Sequence, residues 1–337
     1  MVPIDPNAIR RGDRLTLSRA LTAIENNNPA GQAALAALFP ETGKAHLVGV
    51  TGSPGTGKST LVNQLVRYYR QSQTTNPLKI GIIAVDPSSP FTGGALLGDR
   101  IRMQDLLGDP EIFIRSMASR GALGGLAHST AAFATLMDGA GFDMIFIETV
   151  GAGQAEVDIA QLAHTVVVVE APGLGDDIQA IKAGILEIAD ILAVNKADLP
   201  GSENAARALR MMLEMAHGKG SLAVAGKHIR SERHSNEKTE EHQTSTWEPP
   251  VQLITATEGL GIAELAETIQ SHKAYLKSTG LWQAKEAYRL QKDLEALVRD
   301  SLMDSWREKL DQVRFESILA DLIEHKLSPG EALQLLL

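Results

Sequence analysis

A chain of 337 residues, 44% hydrophobic and 22% charged, is long and apolar enough for one large domain or for a core with attachments. A formal charge of −9 argues against nucleic acid or an acidic membrane as a nonspecific partner, and the absence of cysteine excludes a disulfide framework and thiolate catalysis. The opening "MVPIDPNAIRRGDRLTLSRA" has no continuous apolar segment and no stretch reads as a membrane span, so neither secretion nor insertion is expected and a cytoplasmic location is.

Residues 1 to 45 read as a peripheral helical extension. In "GDRLTLSRALTAIENNNP", Leu17, Leu21 and Ile24 share one helical face, and Asn26 to Pro29 stop the run. A second short helix is expected over Gln32 to Leu38. "AHLVGVTG" is then a buried-strand pattern, followed by "GSPGTGKST" (Gly52 to Thr60) and a helix from about Ser59 to Gln71. The loop fits G-x-x-x-x-G-K-[ST] between a strand and a helix. In such a loop, backbone N–H groups converge on phosphate oxygens and the helix end adds a favourable field. Gly52, Gly55 and Gly57 supply backbone freedom, and Ser53, Pro54, Thr56 and Thr60 complete the loop. Lys58 is expected to reach the β- and γ-phosphates, and the Ser59 hydroxyl to ligate Mg²⁺. A glycine-rich turn that binds nothing is the bland alternative; the flanking strand and helix weigh against it.

"LKIGIIAVD" is the second strand, ending in Asp86 and opening "DPSSPFTGGALLGDR". A carboxylate at the carboxyl end of a central strand lies near the nucleotide in doubly wound sheets, so Asp86 is a metal candidate, direct or through water. Asp99, at the end of the same loop, is a second, with a surface acid as its alternative. "DMIFIET" follows and ends in Glu148, then Gly151. Glu148 can hold Mg²⁺ or its water, or orient an attacking water, whereas a strand-end cap is the plain alternative. Gly151 can offer its N–H to the γ-phosphate and flip when that group leaves. Gln154 is a looser water-positioning candidate. "HTVVVVEAP" is the next strand.

"DILAVNKAD" carries Asn195, Lys196 and Asp198 after a strand. A carboxylate at Asp198 can accept from guanine N1–H and the exocyclic amine, a donor pair that adenine lacks, so GTP is favoured over ATP. Asn195 and Lys196 should hold the loop and stack along the base. "VQLITATEG" is the last strand, with Thr255, Ala256 and Thr257 placed for a backbone contact to guanine O6. Between these two, about 215–248, runs a polar stretch read as a surface insertion. Its histidines (His217, His228, His234, His242) are irregularly spaced and read as solvated rather than metal-binding. From about Leu281 the chain is helical; Leu290, Leu294 and Leu297 recur at four and three, a face that either docks on the parent domain or meets another chain.

Six β-rich runs alternating with helices imply an α/β fold, a mostly parallel sheet flanked by helices. The expected domains are 1–45, 46–275 with its insertion, and 281–337. Among the arginines, Arg100, Arg102, Arg115 and Arg120 are available, but none is placed as an internal catalytic finger. Intrinsic hydrolysis should therefore be slow and partner-sensitive.

Together "GSPGTGKSTL", "VDPSSPFTGGALLGDRIRM", "ETVGAGQAEVDIA", "DDIQAIKAGILEIADILAVNKAD" and the helical tail resemble the MeaB/ArgK/MMAA subfamily of P-loop GTPases over nearly the whole chain. That resemblance implies a homodimeric, metallochaperone-type GTPase that uses Mg²⁺ and cycles between GTP and GDP. Its partner would be an adenosylcobalamin-dependent acyl-CoA mutase, usually methylmalonyl-CoA mutase, whose cofactor loading it gates and which it protects or rescues. The C-terminal helices would form much of the dimer contact. Asp86 to Arg100 match the family's first switch, Glu148 to Glu156 its second, and Asp176 to Gly184 a third that includes Lys182. "FIRSMASRGALGG" matches a further loop near the active site. A nickel-insertion GTPase is the near alternative, disfavoured by the lack of cysteine; a small-molecule or amino-acid kinase is the distant one, and no acceptor site for it is evident.

Overall fold

The structure is a computed structural model that describes residues 4–72, 77–87, 103–119, 125–149, 154–173, 183–218 and 246–336. Only the backbone is described for 86–87, 118–119, 125–128, 154–157, 183–185 and 216–218.

Three short helices come first, α1 (Pro6–Arg10), α2 (Arg14–Glu25) and α3 (Pro29–Leu38), each started by a side chain that accepts from the first turn: Asp5, Asp13 and Asn28. The expected stop at Asn26 is observed, with Asn27 in the left-handed region at φ 52°. These helices are not peripheral. Ile9, Leu17, Leu21, Ile24, Ala34 and Leu38 bury into the same core as Leu47, Ile83 and Ile145 of the sheet.

The sheet is built from β1 (His46–Thr51), β2 (Ile80–Pro87), β3 (Ile112–Ser119), β4 (Met144–Thr149), β5 (Thr165–Glu170), β6 (Ile191–Val194) and β7 (Val251–Leu253). The helices between and after them are α4 (Lys58–Ser72), α5 (Gly125–Gly139), α6 (Gln154–Leu162), α7 (Ala183–Ile188), α8 (Ser202–Gly218), α9 (Ile262–Ser278), α10 (Leu281–Lys309), α11 (Gln312–Ile323) and α12 (Pro329–Leu336). Strand order is β3-β2-β4-β1-β5-β6-β7 and every pairing is parallel. Both faces are covered, so β1, β4 and β5 are buried at every residue. Val48, Val50, Met144, Phe146, Val167 and Val169 pack toward α4 and α9. The alternate residues Leu47, Ile145, Ile147, Val166 and Val168 pack toward α5, α6 and the N-terminal helices.

β3 is a seventh strand beyond the six expected. Its sequence "IFIRSMAS" is interrupted by Arg115 and Ser116, which an edge strand tolerates because one side of its ladder is open. Arg115 donates to Glu25 at 2.6 Å and lies over Phe133, which fastens α2 to this edge. The polar stretch expected from 215 begins inside α8, which runs to Gly218. At its far end Trp247 is docked: its Nε1 donates to the Asp190 carbonyl and its ring lies 4.7 Å from His272.

A buried histidine cluster closes the amino-terminal end of the sheet. His46 Nε2 and His272 Nδ1 both meet the Thr165 hydroxyl, at 2.8 and 2.9 Å. His164 Nδ1 accepts from the Leu47 N–H, so its proton sits on Nε2, 2.8 Å from Glu286 Oε1. Trp282 stacks on His164 at 3.8 Å, Lys285 donates to the His164 carbonyl, and Arg289 pairs with Glu286 and donates to Thr135. The start of α10 is thus held by polar contacts as well as by apolar packing.

The chain divides into two compact units, Met1–Arg289 and Leu290–Leu337. In the second, Trp306 packs edge-on to Phe315 and its Nε1 donates to the Leu336 carbonyl. Along α10, Leu290, Leu294, Leu297 and Leu302 are exposed.

Candidate functional site

The site forms at the carboxyl ends of β1, β4, β5 and β6, where the strand order reverses on either side of β1. β1 cannot continue straight past Thr51. Gly52 turns at φ 134°, so close to β5 that a Cβ there would lie 2.0 Å from the Val169 carbonyl oxygen. No other residue fits that backbone. The chain then loops through Ser53 to Gly57 and enters α4 at Lys58, which aims the first N–H groups of the helix at the loop. Lys58 is buried, and its Nζ donates to the carbonyls of Gly52 (2.8 Å) and Ser53 (2.9 Å), spanning the loop. Thr56 is held by its own hydroxyl on the Ser53 carbonyl, 2.9 Å away.

Ser59, one residue into α4, donates to Glu148 Oε1 at 2.5 Å. Glu148 arrives there by strand alternation: it shares a face with Met144 and Phe146, the face that α4 covers. Both residues are buried. A hydroxyl and a carboxylate in contact at the start of the phosphate-loop helix form an all-oxygen donor set of the kind that Mg²⁺ takes, with phosphate and water completing its shell. Among the described residues no group of three or more His, Asp or Glu gathers as a fuller metal cage. On the other face of the sheet, Thr149 donates to Thr51 at 3.0 Å.

Asn195 ties the two ends of the site together. Its Nδ2 donates to the Thr56 carbonyl at 2.7 Å and its Oδ1 accepts from the Ala256 N–H at 3.0 Å. Its own N–H goes to the Glu170 carbonyl. Gly57 is required beside it, since a Cβ there would sit 2.4 Å from Asn195 Nδ2. Lys196 adopts φ 58°, a costly region for a side chain, and the chain turns so that Asp198 is exposed beyond it. Thr255 pairs with Leu260 across a tight turn, which presents Ala256 and Thr257 beside this loop. The Ala256 N–H is committed to Asn195, so it is not the group in this stretch that can reach a base.

The structure therefore brings together Gly52 to Thr60, Glu148, Asn195 and the stretch Thr255 to Thr257. Asp86 is the penultimate residue of β2, paired in register with Ala118, and only its backbone is described. Asp99, Gly151 and Lys182 lie outside the described residues, as do Arg100, Arg102 and Arg120, His228, His234 and His242, and the side chains of Gln154 and His217. Arg115 is described and is engaged by Glu25. Thr51 and Thr149 are at the site in addition to the residues expected from the sequence. The available signal was a hydroxyl residue ending each of two neighbouring strands.

Comparison with known proteins gives a consistent picture. A family model described as "Methylmalonyl Co-A mutase-associated GTPase MeaB" matches residues 17–311. A Pyrococcus horikoshii protein described as a GTPase is 40% identical over 339 residues, 100% of this chain and 98% of that one. The GTPase ArgK of Escherichia coli is 34% identical, over 97% of this chain and 92% of its own. Among solved structures, an LAO/AO transport system kinase superposes with a TM-score of 0.65 at 27% identity, covering 98% of this chain and 94% of that one.

Proposed function

Because the chain belongs to the MeaB family of P-loop GTPases, we propose that its GTP hydrolysis gates adenosylcobalamin loading into a cobalamin-dependent acyl-CoA mutase, and protects or reactivates that mutase. Methylmalonyl-CoA mutase is the partner that the family's description favours. The observation that carries the reading is the meeting of Ser59 and Glu148 beside a phosphate loop spanned by Lys58.

In this reading Gly52 to Thr60 cradle the phosphates, and the Lys58 ammonium exchanges loop carbonyls for β- and γ-phosphate oxygens. Ser59, Glu148 and Asp86 would hold Mg²⁺, directly or through water. When bound, Mg²⁺ neutralises the charge that develops on the bridging and γ-oxygens. Asp198 accepts from guanine N1–H and the exocyclic amine; Lys196 lies along the base. With the Ala256 N–H given to Asn195, the contact to guanine O6 passes to Thr257. Gly151 and Lys182 are assigned to sensing and stabilising the γ-phosphate. The exposed leucines of α10 support a homodimer formed through the C-terminal helices.

The test is GTP turnover by the purified protein, alone and with methylmalonyl-CoA mutase. Several-fold stimulation is expected, together with a complex whose stability depends on the nucleotide bound. Unstimulated turnover and no complex in either nucleotide state would overturn the choice of partner. A kinase reading, prompted by the designation of the similar crystal structure, requires labelled γ-phosphate to appear on an amino acid rather than in inorganic phosphate.

A further inference from the structure

β4 ends in two neighbouring residues that point to opposite faces of the sheet. Glu148 faces α4 with Met144 and Phe146, and Thr149 faces the other side with Ile145 and Ile147. The backbone ladder between β1 and β4 makes its last pair at Val50 and Glu148. Thr51, the next residue, is the last of β1, and the chain leaves the sheet at Gly52. At that step the strands are joined by side chains instead: Thr149 Oγ1 donates to Thr51 Oγ1 at 3.0 Å. Both hydroxyls are buried, at 2% and 0% exposure, so water does not readily replace either partner.

We propose that the Thr149–Thr51 hydroxyl pair is a positioning element for the metal end of the site: it holds the end of β4 against the root of the phosphate loop, and so sets where the Glu148 carboxylate meets Ser59. The proposal rests on the reading of Ser59 and Glu148 as Mg²⁺ ligands. Its geometry is a clamp on two faces. The Glu148–Ser59 contact pins β4 to α4 on one side, and the hydroxyl pair pins it to β1 on the other. On its other edge β4 stays paired with β2 through Ala84–Glu148 and Val85–Thr149, so without the second pin the end of β4 is held from β2 alone and its spacing from the root of the phosphate loop is no longer fixed on the β1 side. The phosphate loop itself keeps its shape through the backbone turn at Gly52, the Lys58 bonds to the Gly52 and Ser53 carbonyls and the Asn195 bond to the Thr56 carbonyl, none of which is made by the hydroxyl pair. The consequence is selective: metal affinity depends on the pair, while phosphate cradling does not.

The experiment uses the full-length protein and a fluorescent GDP analogue, titrated with and without Mg²⁺, together with thermal melting. Thr149→Val is expected to raise the Mg²⁺ concentration for half-saturation several-fold, with the affinity for metal-free GDP unchanged. Thr149→Ser, which keeps the hydroxyl, should behave as wild type. The double variant Thr51→Val/Thr149→Val replaces both hydroxyls with methyls and leaves no orphan donor, so it guards against simple misfolding; it should melt near wild type and still need more Mg²⁺. A wild-type Mg²⁺ requirement in both valine variants would overturn the proposal, as would an equal loss of metal-free affinity. A wild-type protein whose GDP affinity ignores Mg²⁺, or a Ser59→Ala variant with an unaltered Mg²⁺ response, would overturn the metal reading itself and the proposal with it.

Discussion

The stability of this protein should fall as pH drops from 8 to 5, and His272 should account for a measurable share. Burial pushes the His272 imidazole down from 6.5 to about 4; Asp190, 3.4 Å away, opposes that shift, and the Lys285 charge reinforces it. The ring is therefore neutral near pH 7, and its contact with Asp190 is not an ion pair there. His46 and His164 are also lowered, first by burial, with Lys273, Lys285 and Arg289 among the charges that add to it and Glu286 opposing at His164. The sign is fixed by which state binds the proton. Below pH 6.5 the unfolded chain protonates these three histidines more readily than the folded chain does, so acid favours unfolding until the folded rings titrate. For His272 a shift from 6.5 to about 4 is worth about 3 kcal/mol in full, and about 2 kcal/mol of it is lost between pH 8 and pH 5. Glu286, lowered to about 2, works in a separate window below its unfolded value of 4.5. The assay is urea unfolding at pH 8, 6.5 and 5, followed by tryptophan fluorescence, since Trp282 lies on His164 and Trp247 beside His272. His272→Gln should lower stability at pH 8 and shrink the pH 8-to-5 difference by about 2 kcal/mol. An unchanged difference in that variant, or a wild type that gains stability toward pH 5, would refute the reasoning.

Three further outcomes bear on the nucleotide site. Gly52→Ala should lose more than about 2 kcal/mol of stability, because its Cβ meets the Val169 carbonyl and φ is positive; a melt within a degree of wild type would contradict the loop geometry. Lys58→Ala should weaken Mg-GTP binding by tenfold or more, about 1.4 kcal/mol, in a calorimetric titration, and unchanged affinity would remove Lys58 from the phosphate site. Asp198→Asn reverses donor and acceptor, so the preference for GTP over XTP should shrink in a competition assay; an equal preference before and after would take Asp198 out of the base site.

Much of the architecture was legible because parallel strands buried on both faces leave continuous apolar runs, as in "HTVVVVE" and "MIFIET". β3 escaped because an edge strand need not be continuous, and Arg115 in its middle serves Glu25 rather than the site. The N-terminal helices showed their periodicity but not their destination, since a stripe of Leu17, Leu21 and Ile24 states that a face is buried and not against what. At the site, the phosphate loop and "NKAD" announce themselves by spacing. The pairing of Ser59 with Glu148 depended on strand order, which puts β4 beside β1. The histidine cluster had no local signature: His46 starts β1, His164 precedes β5 and His272 lies within α9, and they meet only around Thr165.

Asn195 joins a carbonyl 139 positions before it to an N–H 61 positions after it. A chain leaving the ribosome at about 5–20 residues per second completes its phosphate loop early, then waits for β6 to supply that asparagine and for the segment after β7 to occupy its other hand. Under the proposed base site, discrimination among purines would be a late acquisition of synthesis. Until residue 256 has emerged and folded back, the Asn195 side chain lacks its second partner, so the tie between the phosphate-loop end and the base-loop end of the candidate site is the last part of it to close.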